Sequence, residues 1–197
     1  MARTKEHMSR GTWEKAIGWV SRFCEDNTQG QELNLCGIGE STMHPEFGEW
    51  CLEAREAIGN KRHLILATNG VGVTEDHALA MRYAQMRVWV SLHRPEKAGP
   101  TVNLLKKYGV LAGISADPSI SAVDWAGQVK WEVSTPVREV CPWLQNGWAM
   151  IGSNGDVLTC CFDGGGTGKL GTVDENISQM DSVPYSLCPS CHHEVPA

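Results

Sequence analysis

Strand-like and helix-like segments alternate four times between Glu32 and Ser115, and this alternation predicts an α/β fold built from parallel βα units. Five of the eight cysteines fall at or after Cys141, beyond the last of those units, and predict a small cysteine-rich C-terminal appendage. A length of 197 residues suits one ordinary domain with such an appendage. The expected division is a βα body over residues 1–135 and the appendage over residues 136–197.

From Met8 to Asp26, Trp13, Ile17, Val20 and Cys24 recur at helical spacing and predict an amphipathic helix. Glu32 to Cys36 then reads as a short strand that runs into the Gly37-Ile38-Gly39-Glu40 turn. From Pro45 onward, Phe47, Trp50, Cys51, Ala54, Ala57 and Ile58 repeat at three and four, with Gly59 as a stop signal. His63 to Ala67 is an apolar strand ending in Thr68-Asn69-Gly70, and Thr74 is suited to cap a helix reaching about Gln85. Arg87 to Leu92 reads as a strand, Lys97 to Tyr108 as a helix and Val110 to Ser115 as a strand. In parallel βα units the loops at the C-terminal strand ends carry function, so the GIGE, TNG and SLH turns are expected to converge on one site.

Beyond Ser115 the alternation stops. Residues 118–127 read as loop and residues 129–133 as a last strand. Trp148 to Gly152 and Val157 to Phe162 read as a hairpin about Asn154-Gly155. Gly164 to Gly168 reads as a flexible link, residues 176–182 as a short helix, and Cys188 to His193 as a knuckle.

The formal charge, 17 − 23 = −6, and the absence of a long basic block argue against nucleic acid as a partner. No run of eighteen apolar residues occurs, and MARTKEHMSRGTW lacks the apolar stretch of a secretory signal, so a soluble cytoplasmic protein is expected, with no membrane partner.

In a reducing compartment clustered cysteines point to metal rather than to disulfides. Cys141, thirteen residues, Gly155, four residues and Cys160 are followed by Cys161 and then by Cys188-Pro189-Ser190-Cys191. A CxxC knuckle turns two thiolates toward one metal, and a hairpin ending in cysteine can bring further ligands opposite it. Four such thiolates suit either zinc or a 4Fe-4S cluster. Simple buried thiols are the plainer reading. The Gly-x4-Cys spacing favours Cys160 over Cys161 as the ligand, strand alternation would point Cys161 to the other face unless a bulge reverses it, and His192 and His193 read as a solvated tail. His44 and His93 fit loop-stabilising roles better than acid–base ones, and Asp163 fits a turn that accepts backbone hydrogen bonds. Eight tryptophans against three tyrosines and three phenylalanines make aromatic anchors available, with Trp13 and Trp50 expected in the core and Trp125, Trp143 and Trp148 as interface candidates.

The cysteine pattern, within CPWLQNGWAMIGSNGDVLTCCFD, LGTV and LCPSC, resembles the SPASM or Twitch auxiliary-cluster extension of radical S-adenosylmethionine (radical SAM) enzymes. LNLCGIGESTMHPEF resembles that family's second strand and Gly-Gly-Glu-Pro turn, with Ser41 where proline is usual. HLILATNG, VWVSLH and VDWAG resemble its third strand, its fourth strand and a stretch preceding the auxiliary cysteines, so the resemblance covers almost the whole chain. It implies an incomplete radical SAM-type βα barrel, with S-adenosylmethionine (AdoMet) held near Gly37, Gly39, Glu40, Asn69 and Ser91. It also implies a 4Fe-4S cluster, or zinc, held by Cys141, Cys160, Cys188 and Cys191.

One hallmark of that family does not occur in the sequence. No CxxxCxxC triplet exists to hold the radical-generating cluster, and Cys24, Cys36 and Cys51 are spaced too widely to imitate one. The sequence therefore reads either as part of a longer enzyme or as a shortened relative, with an open sheet edge at ELNLC in the second case. Two functions follow. The first is a radical SAM/SPASM-like iron–sulfur protein acting on a peptide or protein when part of an intact enzyme. The second is a non-catalytic, metal-stabilised protein-binding module or inhibitor on the same scaffold.

Overall fold

The computed structural model describes residues 6–26, 32–37, 39–92, 95–115, 140–175 and 184–191. The chain divides into two compact units, Ile17–Asp117 in one and Met1–Ala16 with Pro118–Ala197 in the other. The boundary expected near residue 135 lies outside the described residues, as do the expected loop at 118–127, the strand at 129–133 and the helix at 176–182.

Helix α1 spans Arg10–Asp26. Its buried positions are Trp13, Ala16 and Trp19, whereas Ile17, Val20 and Cys24 are half-buried. The inward stripe is thus rotated from the expected one. Trp19 accounts for the shift: its large ring stacks on Phe23 with centroids 5.1 Å apart, and the largest apolar surface governs which side turns inward.

In the Ile17–Asp117 unit, β1 (Glu32–Asn34), β2 (His63–Thr68), β3 (Arg87–Ser91) and β4 (Leu111–Ser115) form a parallel sheet in chain order. The register pairs Leu33 with Leu64, Leu66 with Val88, and Val90 with Ile114. Three helices alternate with these strands: α2 (Phe47–Ile58), α3 (Glu75–Tyr83) and α4 (Pro95–Lys107). This is the α/β architecture expected from the alternation. Residues two apart on a strand share a face, and Leu64, Leu66, Val88 and Val90 are fully buried there. Helix α2 buries Phe47, Trp50, Cys51, Ala54 and Ile58, the stripe its spacing predicts, and ends at Gly59 with φ 64°. Arg55 secures that end by donating to the carbonyls of Gly59 and Ala84, each at 2.7 Å, and of Arg62 at 2.9 Å. Thr74 caps α3 in a reciprocal arrangement: its hydroxyl accepts from His77 N at 3.2 Å, and His77 Nδ1 accepts from Thr74 N at 3.4 Å.

The other unit contains α5 (Pro142–Asn146) and an antiparallel sheet in the order β5 (Met150–Ile151), β6 (Asp156–Leu158) and β7 (Lys169–Thr172). The β5–β6 hairpin turns at Asn154-Gly155 as expected, with Gly155 at φ 84°. Its ladder is shorter than the sequence suggests, because pairing ends at Leu158. The Gly164 to Gly168 run is not a link. It forms the turn between β6 and β7, and the carboxylate of the fully buried Asp163 organises it by accepting from Gly168 N at 2.5 Å and Thr167 Oγ1 at 3.2 Å. A buried carboxylate is tolerated because donors replace its lost water.

Candidate functional site

Three of the resemblance-implied residues lie at the C-terminal ends of adjacent parallel strands. Glu40 follows β1, Asn69 follows β2 and Ser91 is the last residue of β3. Gly37 and Gly39 bridge one another just ahead of Glu40, and Gly39 takes φ 146°, which favours glycine.

Glu40 holds this edge together. Its Oε1 accepts from Thr42 N at 3.3 Å and from the Thr42 and Thr68 hydroxyls, each at 2.8 Å, while Oε2 accepts from Asn69 N at 2.8 Å. The carboxylate thereby ties the turn after β1 to the turn after β2. Thr68 Oγ1 in turn accepts from Gly70 N at 3.0 Å, and Asn69 Oδ1 accepts from Val71 N at 2.8 Å. Gly70 sits at φ 77°, and a Cβ there would lie 3.0 Å from Ala98 Cα, so the TNG turn has room only for glycine. Thr101 closes the turn by donating to Gly70 O at 2.7 Å.

This geometry gives Glu40 a positioning role rather than that of a free base. A different group is left over: Ser91 Oγ is buried with no hydrogen-bond partner among the described residues. Buried hydroxyls are nearly always satisfied, so an orphaned one at a strand C-terminus suits a polar ligand. The donor set is compatible with the polar groups of AdoMet. His44, by contrast, is spent locally: its Nδ1 accepts from Glu46 N at 3.1 Å, and its ring lies 3.8 Å from that of Trp50. His93 lies outside the described residues.

Cys160 differs in character from the three cysteines of the sheet-bearing unit. Burial pushes the Cys24 and Cys36 thiols up and drives Cys51, inside α2, to about 12, so all three behave as apolar packing groups. Cys160 is pulled down, first by the adjacent Cys161 thiol and, against its own desolvation, by Phe162 N–H and the Tyr185 hydroxyl. Phe162 N lies 3.4 Å from Cys160 Sγ, and Tyr185 N lies 3.4 Å from Cys188 Sγ. The Phe162 N–H aimed at the Cys160 sulfur favours its thiolate over its thiol, the form that binds metal.

Cys160 and Cys161 both lie beyond the end of β6, in a turn, so the strand alternation expected to send Cys161 to the opposite face does not operate. Cys188 opens a short 3-10 turn over Cys188–Ser190, and Cys191 N closes the knuckle by donating to Cys188 O at 3.1 Å. Cys141 caps α5. Among the described residues, no three His, Cys, Asp or Glu side chains already close into a metal-sized shell. Tyr185, which sequence reasoning overlooked, sets its backbone N–H on Cys188 Sγ and its carbonyl on Cys188 N. Its signal is an aromatic three residues ahead of the CPSC knuckle.

Trp13 and Trp50 are core residues, each 7% exposed, whereas Trp148 is 46% exposed and meets Trp143 edge-on at 5.5 Å. Trp125 lies outside the described residues.

No helix among the described residues is long and apolar enough to cross a membrane. No protein-family model matches the chain, and no curated protein matches it. Solved structures do. A crystal structure of BtrN in complex with AdoMet and 2-DOIA aligns with a TM-score of 0.71 at 15% identity, over 89% of this chain and 69% of that one. BtrN in an open conformation aligns with a TM-score of 0.58 at 15% identity, over 86% and 64% of the two chains. Native anSMEcpe with bound AdoMet aligns with a TM-score of 0.60 at 16% identity, over 91% and 72%. The chain is therefore similar in fold to these proteins, two of whose structures hold AdoMet.

Proposed function

We propose that this chain is a radical SAM/SPASM-like iron–sulfur protein that binds AdoMet at the C-terminal edge of its parallel sheet and a metal centre at its C-terminal cysteines. The orphaned Ser91 hydroxyl, at the strand edge expected to carry function, is the observation that carries this reading. The fold shared with two AdoMet-bound proteins supports it.

In this reading Gly37 and Gly39 present backbone to the ligand, and Asn69 and Ser91 offer hydrogen bonds to its polar groups. Glu40 holds the two turns in register through the four hydrogen bonds it accepts. Cys141, Cys160, Cys188 and Cys191 hold the metal within an appendage covering residues 136–197, and the body covers residues 1–135. A 4Fe-4S cluster at those cysteines supplies one-electron chemistry, and a zinc ion supplies rigidity. The sequence contains no CxxxCxxC triplet, so radical formation from AdoMet requires a cluster from outside these residues. The substrate of the intact enzyme is a peptide or protein.

Calorimetric titration with AdoMet tests the reading. Native protein should bind, and Ser91→Ala should bind about fivefold more weakly, as loss of one hydrogen bond implies. Absence of binding at millimolar AdoMet contradicts it. With a reductant and AdoMet, the 197 residues alone should yield no 5′-deoxyadenosine.

A second reading is favoured by β1, whose outer edge pairs with no strand among the described residues. On that reading the chain is a metal-stabilised, non-catalytic module that binds a protein partner through the open edge. Metal retention without AdoMet binding would select it.

A further inference from the structure

The sheet-bearing unit carries a cleft at the strand ends opposite Glu40, Asn69 and Ser91. It encloses about 520 Å³ where α3 and α4 end and β3 and β4 begin. Arg82, Arg87, Lys106 and Lys107 line it together with Gln85 and Tyr108, and no carboxylate does among the described residues. In a chain of formal charge −6, four cations in one cleft run against the overall sign.

The plainer account of such cations is that they offset helix C-termini, each worth about half a negative charge. Here other groups already serve those ends. Arg55, outside the lining, donates to Ala84 O at 2.7 Å and to Gln85 O at 3.4 Å after α3. After α4, Gly109 N donates to Lys106 O at 3.0 Å and Val110 N to Leu105 O at 3.1 Å. Glu75, which accepts from Lys107 Nζ at 2.8 Å and from the Tyr108 hydroxyl, neutralises one of the four cations. Arg82, Arg87 and Lys106 form no ion pair among the described residues. Even with both helix ends set against them, a surplus of about two positive charges remains.

Arg87 is also held in place. Its guanidinium carbon lies 5.2 Å from the centroid of the Trp89 ring. That ring rests on Gly113 of β4, where an added Cβ would meet it at 2.9 Å. The stack orients a fork of donors without consuming any of them.

We propose that this cleft binds a small molecule bearing a diphosphate-class polyanion. A volume of this size is usual for small-molecule clefts. Two guanidinium forks and two ammonium groups suit phosphoryl oxygens, which take bidentate bonds and point charges alike. The inference rests on the cleft alone and stands apart from the AdoMet and metal readings.

Calorimetric titration with pyrophosphate at about 0.15 M ionic strength tests it, because salt screens loose attraction to exposed charges. Native protein should bind at submillimolar concentration, and the Arg82→Gln, Lys106→Gln double variant should bind about tenfold more weakly. Both side chains are exposed, so far-ultraviolet circular dichroism should report an unchanged fold. Lys97→Gln, which removes an exposed cation at the opposite end of α4, should leave the affinity unchanged. Absence of binding at millimolar pyrophosphate, full affinity in the double variant, or an equal loss in Lys97→Gln would overturn the proposal. Citrate bound as tightly as pyrophosphate would overturn the phosphoryl assignment.

Discussion

The parallel sheet and the cysteine-bearing hairpin are held together by different physics. In the sheet-bearing unit, apolar residues at regular spacing fix β2, β3 and α2, and one carboxylate, Glu40, ties two turns at the sheet's edge. In the hairpin unit the longest strand among the described residues has four residues, and the turn after β6 is built around a buried carboxylate, Asp163. The contrast teaches where polar groups matter: at the rim of a periodic fold, but at the centre of a small turn-built one.

That difference sets the order of mutational effects. Leu66→Ala should have the largest effect, destabilising the sheet-bearing unit by about 3 kcal/mol in urea unfolding, because it leaves a cavity between packed layers. Asp163→Ala should cost about 2 kcal/mol, since Gly168 N loses its buried acceptor. A cost equal to that of a surface substitution would break the comparison. Glu40→Ala should cost about 1 kcal/mol and, more tellingly, should speed hydrogen exchange at Asn69 N and Thr42 N, the two amides it accepts from.

A smaller effect depends on pH. Desolvation holds His77 below the usual histidine value, against the Gly72 contact and Asp76, which raise it. The folded state therefore binds this proton less readily than the unfolded chain, and stability is present above the unfolded histidine value of about 6.5 and lost as pH falls below it. Protonation also removes the Nδ1 acceptor for Thr74 N in the α3 cap. The melting temperature should fall modestly from pH 7 to pH 5, and His77→Gln, which can keep the cap without titrating, should flatten that slope. The smallest effect belongs to Glu75, whose exposed pairing with Lys107 at 2.8 Å should contribute nothing measurable at physiological salt.

The same contrast explains what was legible in the sequence. The α2 stripe, Gly59, the Thr74 cap and the strand cores of β2 and β3 all follow from periodicity and stop signals that act locally. Strand β7 was not legible, because Lys169-Leu170-Gly171-Thr172 has no alternation and follows a glycine run that reads as a link. That run is ordered by a buried carboxylate whose partners emerge only on folding. At the site, Glu40, Asn69 and Ser91 were reachable through their turns, but the role of Glu40 as a strut depends on Thr42 and Thr68, whose hydroxyls only the fold brings to it. Tyr185 was missed because its ring packs on Gly168, seventeen positions earlier, a contact only the fold makes.

The most direct test of the central claim is the iron, acid-labile sulfide and zinc content of protein purified without oxygen, measured for the native chain and for the Cys188→Ala, Cys191→Ala double variant. The account predicts about four irons and four sulfides, or one zinc, per native chain, and loss of that metal in the variant. No metal in the native chain, or metal retained in full by the variant, would contradict it.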